Sequence, residues 1–285
     1  MASDISKRIL AGFPKFSKSH KKIANAVLND YAKISDLTAI RLARTVGVSE
    51  STVVRFAYAL GYEGYSEFQR AIGELVKTKL TPNQRIEMTK KRIGRKDIIE
   101  NVMESDIQKI RFTLESLNRD SFYSSVDAIL DAKNIYIMGA RSAEPVARML
   151  NYNLSLIFDN VRFVQATSSG EVFEQMFSIG SDDVLIAFSF PRYSTKVVNA
   201  VKFANNKGAK VIVVTDSQAS PLVEHATYVL TAQSDMAAFM DSLVAPASII
   251  NAIIVEITHK REKDITDRFD KLEELWDEYD VYTKR

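Results

Sequence analysis

From residue 134 to 230 the chain repeats one arrangement: a short run of apolar, largely β-branched residues, then a stretch with helical spacing, then another run. The runs lie at 134–138, 161–164, 184–188, 211–214 and 228–230, and the helical stretches at 143–158, 171–177 and 195–207, with a short turn near 221–225. The runs do not alternate polar with apolar residues, so both faces of each are buried, and segments long enough to cross over separate most of them. That pattern predicts an α/β domain with a five-stranded parallel sheet covered by helices on both faces. Sheets of this kind bind ligands beyond the carboxyl ends of their strands.

Two of those ends carry suitable chemistry. The first run leads into Gly139-Ala140-Arg141-Ser142, which places Ser142 at the mouth of a helix whose free amides favour an anion. The third leads into Ser189-Phe190-Pro191-Arg192-Tyr193-Ser194-Thr195, again rich in hydroxyls and again entering a helix. The pair makes a cradle for phosphate or carboxylate, with Arg192 as an added clamp. Asp241 and Ser242, after the last run and at the start of a helix, are candidates to bond ligand hydroxyls, or else Asp241 caps that helix.

The segment from Thr38 to Phe56 has a different logic. Ile40, Leu42, Ala43 and Val46 recur at helical spacing, Gly47 stops the helix, and Val48 turns into the corner. Ser49 is the cap of a second helix, whose inward face is Val53, Val54, Phe56, Ala57 and Leu60. This is a helix-turn-helix. Glu50, Ser51, Thr52 and Arg55 are left outside near the start of the second helix, where such motifs touch base edges in a major groove. Lys18, Lys21, Lys22, Arg41 and Arg44 are natural phosphate contacts, supplying affinity without sequence information. Further helices are expected at 17–31 and 65–79, with Tyr62, Tyr65 and Phe68 locking the latter onto the recognition helix.

Charge divides the chain in the same way. Up to Lys96 there are 19 Lys and Arg against 8 Asp and Glu, whereas the rest holds 19 against 28, so a net +2 conceals a basic part and an acidic part. The basic part suits a polyanion such as double-stranded DNA. The organisation read from these features is a DNA-binding domain over 1–80, a linker and bridging helix over 81–118, a ligand-binding domain over 119–260, and a C-terminal helix over 261–285. Within the linker, 84–96 reads as a basic, weakly patterned connector, and 97–117 as an amphipathic helix with Ile98, Val102, Ile107, Ile110 and Leu114 available for its own chain or a second subunit. The acidic segment 265–279 places Phe269, Leu272, Leu275 and Trp276 on one side, to pack on the body or a partner.

The chain has no cysteine, which excludes disulfides, thiolate metal sites and a cysteine nucleophile and fits a reducing cytoplasm. No metal or other cofactor is expected. The N-terminal residues lack the apolar core of a signal peptide, and the apolar run 243–257 is broken by Pro246, Ser248 and Asn251, so a buried helix is expected there and no membrane association.

The stretches L-A-R-T-V-G-V-S-E-S-T-V-V-R-F and A-L-G-Y-E-G-Y-S-E-F, followed by G-A-R-S, F-S-F-P-R-Y-S, K-G-A-K-V-I-V-V-T-D-S and S-P-L, resemble the RpiR-type transcriptional regulators, which join a helix-turn-helix to a sugar isomerase, or SIS, domain. The resemblance implies a bacterial regulator of carbohydrate genes, a repressor by default, whose SIS domain binds a sugar phosphate or related metabolite. It also implies that Ser142, Ser189, Ser194 and Thr195 hold the phosphate. The usual loop is S-x-S-G-x-T, and Pro191 and Arg192 replace its second serine and its glycine here. One hydroxyl is lost and a guanidinium gained, which points toward a sugar acid or an unphosphorylated polyol as the effector. The competing function is an SIS-type sugar-phosphate isomerase, but His225, Glu256, His259, Glu171 and Glu174 form no paired acid and base in sequence, so no catalytic residue is assigned. A homodimer or tetramer reading two half-sites is expected, since one helix-turn-helix buries too little surface alone.

Overall fold

A computed structural model of the chain describes residues 5–93, 97–236 and 238–283, with side chains in all of these except 77–79 and 91–93. They form two compact units, one ending at Glu87 and the other beginning at Met88.

The first unit is helical: α1 (Ile5–Gly12), α2 (Lys18–Asn29), α3 (Tyr31–Ser35), α4 (Ala39–Val46), α5 (Glu50–Ala59), α6 (Tyr65–Lys79) and the start of α7 (Pro82–Ile93). Side chains begin four successive helices. Ser17, Asp30, Thr38 and Ser49 accept hydrogen bonds from the amides of His20, Lys33, Arg41 and Thr52 at 3.2, 3.2, 3.3 and 3.2 Å, each satisfying a donor that the helix cannot. Gly47 ends α4 at φ 68°, a left-handed conformation that a side chain would strain. Ile23, Val27, Leu42, Val53, Phe56, Phe68 and Ile72 are wholly buried. The Phe56 ring stands edge-on to Phe16 at 5.3 Å and to Phe68 at 5.7 Å, which fixes α5 against α6.

Several sequence expectations change here. The helix expected at 17–31 stops at Asn29, because Asp30 starts α3, and neither α1 nor α3 was anticipated. Ile40 was expected inside but is 47% exposed. It lies about a third of a turn around α4 from the centre of the Leu42, Ala43 and Val46 stripe. The expected connector at 84–96 is helical as far as Ile93. Its start is a reciprocal cap: the Gln84 amide donates to Thr81 Oγ1 at 3.3 Å and the Thr81 amide to Gln84 Oε1 at 2.9 Å, with Pro82 in the first helical position.

The second unit runs α8 (Ile98–Ser116), α9 (Arg119–Leu130), β1 (Ile135–Gly139), α10 (Glu144–Ile157), β2 (Val161–Val164), α11 (Ser169–Gln175), β3 (Val184–Phe188), α12 (Thr195–Asn206), β4 (Lys210–Thr215), β5 (Tyr228–Thr231), α13 (Val244–Lys260) and α14 (Glu262–Glu278). The strands form one parallel sheet in the order β2-β1-β3-β4-β5. Alternate residues serve two cores. Ile135, Ile137, Val184, Ile186, Ile212 and Val214 pack with α9, α10 and α13, while Tyr136, Met138, Leu185, Ala187, Val211 and Val213 pack with α11 and α12. Double burial explains the unbroken apolar runs, and each buried aliphatic side chain contributes about 1.5–3 kcal/mol over its exposed state.

α9 was not anticipated. It adds Phe122, Val126 and Ile129 to the first core, and its Ser121 Oγ accepts from the Val229 amide at 3.2 Å along β5. α14 packs on its own unit: Ile265 is buried, and Arg268 donates to the Leu156 carbonyl at 2.7 Å and to Asp159 at 2.8 Å. α8 turns polar residues inward. Lys109 and Thr113 are each 5% exposed, Lys109 Nζ lies 3.2 Å from Asp106, and Thr113 Oγ1 accepts from the Gln233 amide at 2.9 Å.

Candidate functional sites

In the first unit the candidate DNA-reading surface is the start of α5. The Ser49 hydroxyl is occupied in building it, since it caps the Thr52 amide and lies 2.7 Å from Thr52 Oγ1 and 3.0 Å from Ser51 Oγ. Glu50, Ser51 and Arg55 are exposed, and Thr52 is half-buried. Arg55 folds back along the helix, with Nε donating to the Ser51 carbonyl at 3.3 Å and a terminal nitrogen to Thr52 Oγ1 at 3.5 Å. These bonds hold the guanidinium over the first turn, where Ser51 and Thr52 also sit. Arg44 is exposed in the last turn of α4, and Lys22 is exposed on α2. Lys21 is half-buried, its ammonium 5.7 Å from the centre of the Phe13 ring.

One neighbour of this surface is a histidine. His20 lies between the rings of Phe16 and Phe56, at 6.0 and 5.4 Å. Partial burial, and then the positive charge of Arg55, hold its imidazole below the ordinary histidine pKa. The sequence signal was a histidine one helical turn after Phe16, legible only once Phe56 is known to pack there.

In the second unit the parallel strands deliver the expected loops to one carboxyl edge. β1 ends at Gly139, against which α10 packs closely: a Cβ there would meet the Ala143 carbonyl oxygen and the Ala147 Cβ, both at 2.7 Å. Arg141 follows with φ 56° and is exposed, and Ser142 is half-buried in a short 3-10 turn. The helix proper starts after Ala143, so Ser142 leads into α10 without capping it, and the first residue of α10 is the acidic Glu144, paired with Arg148 at 2.7 Å.

Beyond β3, Ser189 is buried and its hydroxyl accepts from the Ser194 amide at 3.3 Å, which curls the loop back on itself. Arg192 is exposed with φ 67°, Ser194 is half-buried, and Thr195 is exposed at the first position of α12. Neither Ser194 nor another side chain caps α12, so its first amides stay available, and no acidic residue stands in its first turn. Of the two helix entrances this one better suits an anion. The loop is bolted to the end of β4: Tyr193 donates to Asp216 Oδ1 at 2.8 Å, and Thr215 Oγ1 donates to the Ser189 carbonyl at 2.8 Å.

The sequence reading missed Lys196. From the first turn of α12 its ammonium donates to the carbonyls of Ala166, at 2.9 Å, and Thr167, in the loop after β2. Since β1 lies between β2 and β3, this bond joins the loops on either side of the strand that ends at Gly139. There Glu171 accepts from the Thr167 hydroxyl and the Ser168 amide, and the Thr167 bond is the main cause that holds its carboxyl below the usual range. No short-range pattern marks Lys196, because its partners are 29 and 30 residues away.

The placement of Asp241 and Ser242 at the start of a helix is corrected. They belong to a loop in which Asp241 bridges to Met236, and the Ser242 hydroxyl donates to Asp106 on α8 at 2.8 Å. α13 starts after Leu243, so Asp241 does not cap it. Ser242 joins the loop to α8, and its proton is committed there. Among the described residues no group of histidines and acids is arranged to hold a metal ion.

The helix-turn-helix domain of the rpiR family matches residues 4–79, and the SIS domain matches residues 128–256. The chain belongs to the RpiR family. An uncharacterized HTH-type transcriptional regulator of Haemophilus influenzae is 27% identical to this RpiR-family chain over 241 residues, covering 80% of each. Among solved structures, the Vibrio vulnificus NanR protein complexed with ManNAc-6P has a TM-score of 0.63 at 21% identity, over 98% of this chain and 100% of that one. The sugar isomerase domain of an RpiR transcription factor from Sphaerobacter thermophilus has a TM-score of 0.58 at 22% identity, over 61% of this chain and 97% of that one. These structures share the fold. As an RpiR-family member the chain is a helix-turn-helix transcriptional regulator with an SIS domain, and among its described residues no helix is long and apolar enough to cross a membrane.

Proposed function

We propose that this regulator binds an operator through α5 and that a phosphorylated sugar at the carboxyl edge of its sheet changes that affinity. The observation that carries the reading is the link that Lys196 makes from α12, after β3, to the loop after β2, beside the uncapped start of α12. Free amides, an ammonium group and the hydroxyls of Ser142, Ser194 and Thr195 together suit the charge and the three acceptor oxygens of a phosphate group. Lys196 supplies the cation, so the loss of a loop serine at Pro191 does not by itself remove phosphate from the ligand. ManNAc-6P in the related NanR structure supports the same class. Glu171 and Arg192 flank this place and suit sugar hydroxyls or a sugar carboxylate. On α5, Arg55 and Ser51 read bases, while Lys21, Lys22 and Arg44 hold phosphates, with Glu50 and Thr52 shaping the contact. The default action is repression relieved by ligand, which requires the ligand to bind one arrangement of the protein more tightly than the other.

The chain acts as a sensor and not as an isomerase on this reading, because Glu171 is engaged by Thr167 and Ser168, its charged neighbour Lys196 is spent on two carbonyls, and no histidine or second carboxylate is bonded to it among the described residues. Calorimetric titration with hexose and N-acetylhexosamine 6-phosphates, their unphosphorylated forms and sugar acids tests the ligand class. Binding confined to phosphorylated sugars, accompanied by a shift in operator affinity by gel retardation, is expected. Binding confined to sugar acids or polyols, or product formation from a sugar phosphate, overturns it.

A further inference from the structure

α5 presents one more side chain on the face that carries Ser51 and Arg55. Tyr58, two turns on from Ser51 and one from Arg55, is 57% exposed. At about 100° per residue the three fall within an arc of about 60°, opposite the buried side of Val53, Phe56, Ala57 and Leu60. Helices that lie along a major groove read it from positions spaced in this way. A lone exposed tyrosine elsewhere would need no explanation. This one stands on a turn held from behind: Arg8 on α1 donates to the Leu60 carbonyl at 3.0 Å, its guanidinium lies 5.0 Å from the centre of the Tyr62 ring, and Phe56 is locked among Phe16, His20 and Phe68. Arg55 folds away from Tyr58, toward Ser51 and Thr52, and among the described residues no ring or charged group stacks on the Tyr58 ring.

We propose that Tyr58 lays its ring against the C5-methyl group of a thymine in the major groove and so extends the sequence that α5 reads. The ring offers apolar surface, which a thymine methyl can use and a phosphate cannot. Its side chain begins about 4.5 Å further along the helix than that of Arg55, a little more than the 3.4 Å between successive bases, so the thymine lies one step on from the base pair that Arg55 meets. The surrounding unit favours DNA over a protein surface as the occupant, with 19 Lys and Arg against 8 Asp and Glu up to Lys96. This inference rests on the assignment of α5 as the operator-reading helix.

Duplexes selected from random DNA by the full chain supply the probe, and replacing each thymine in turn by deoxyuridine removes only its methyl group. At one position this weakens parent binding about fourfold by fluorescence anisotropy, the worth of one methyl taken from water. Tyr58→Ala loses at least as much on the thymine duplex and does not sense the deoxyuridine, whereas Tyr58→Phe keeps both the affinity and the sensitivity. Unchanged thermal melting is the folding control. A Tyr58→Phe variant as weak as Tyr58→Ala places the hydroxyl on the DNA in place of the ring and overturns the proposal, as does a Tyr58→Ala variant that senses the same deoxyuridine as the parent. Arg55→Ala separates the two failures. If it weakens binding to the selected duplex while Tyr58→Ala does not, Tyr58 alone is misassigned; if neither does, or the chain selects no sequence, the assignment of α5 falls with it.

Discussion

The bolt between Tyr193 and Asp216 offers the sharpest test of how the ligand loop is held. Asp216 is 7% exposed and accepts from the Tyr193 hydroxyl at 2.8 Å, so Tyr193→Phe removes one donor from a carboxylate that water scarcely reaches. Hydrogen bonds to charged groups contribute about 1.5–3 kcal/mol. A loss near 2 kcal/mol lowers the melting temperature by about 4–8 °C, at roughly 2–4 °C per kcal/mol for a unit of this size. If the ligand must reorder a loop released by the substitution, the same loss weakens its binding by up to about 30-fold, since 1.4 kcal/mol is a tenfold change. Differential scanning calorimetry of the full chain, with titration of the sugar phosphate that binds the parent, measures both. Operator affinity without ligand stays within twofold. A Tyr193→Phe variant that melts within about 1 °C of the parent and binds ligand equally would refute the reasoning, because a buried carboxylate would have lost a donor at no cost.

Ser49→Ala removes the cap of the recognition helix and costs about 1 kcal/mol, with a parallel fall in operator affinity by fluorescence anisotropy, whereas Ser49→Asp keeps the fold stable and weakens only DNA binding. Gly139→Ala forces a methyl against the Ala143 carbonyl oxygen and separates α10 from β1, lowering stability by about 1–3 kcal/mol in urea unfolding. His20 stays neutral in the fold below the pH at which a free histidine ionises, so its contribution to stability is present above about pH 6.5 and is lost as pH falls further. Urea titrations of parent and His20→Gln between pH 5 and 8 check this, and the variant has the weaker dependence. Burial raises the Tyr65 hydroxyl to about 12, so its stabilising share is present below pH 10 and disappears as pH rises toward 12; Tyr65→Phe removes that dependence in alkaline unfolding curves.

The strands were legible because double burial leaves an unbroken apolar signature, and all five appear within a residue of the expected positions. The helix-turn-helix was legible because its punctuation is local: Ser49 caps, Gly47 turns, and both act through near neighbours. What escaped depends on partners far along the chain. α9 has an ordinary composition and becomes necessary only as a cover for the sheet. Lys196 reads as a surface lysine until β2 brings Ala166 and Thr167 beside it. Asp241 and Ser242 read as the start of a helix because they follow a strand, but α13 begins after Leu243, and the partner of the Ser242 hydroxyl, Asp106, lies 136 residues away. α7 was missed in spite of a readable Thr81 and Gln84 cap, since charge without an apolar stripe suggested a connector.

The strand order sets a sequence of events during synthesis. β1 pairs on one side with β2, soon after it, and on the other with β3, whose Phe188 lies opposite Gly139. The inner edge of β1 therefore waits, unpaired, until some 50 residues more have left the ribosome, while the first unit, closed by contacts within 87 residues, is already free to fold. An apolar strand with an open edge is a template for wrong pairing. The nascent regulator thus has its DNA-binding half complete before the half that responds to metabolites, and the interval before β3 emerges is when a chaperone has most to protect.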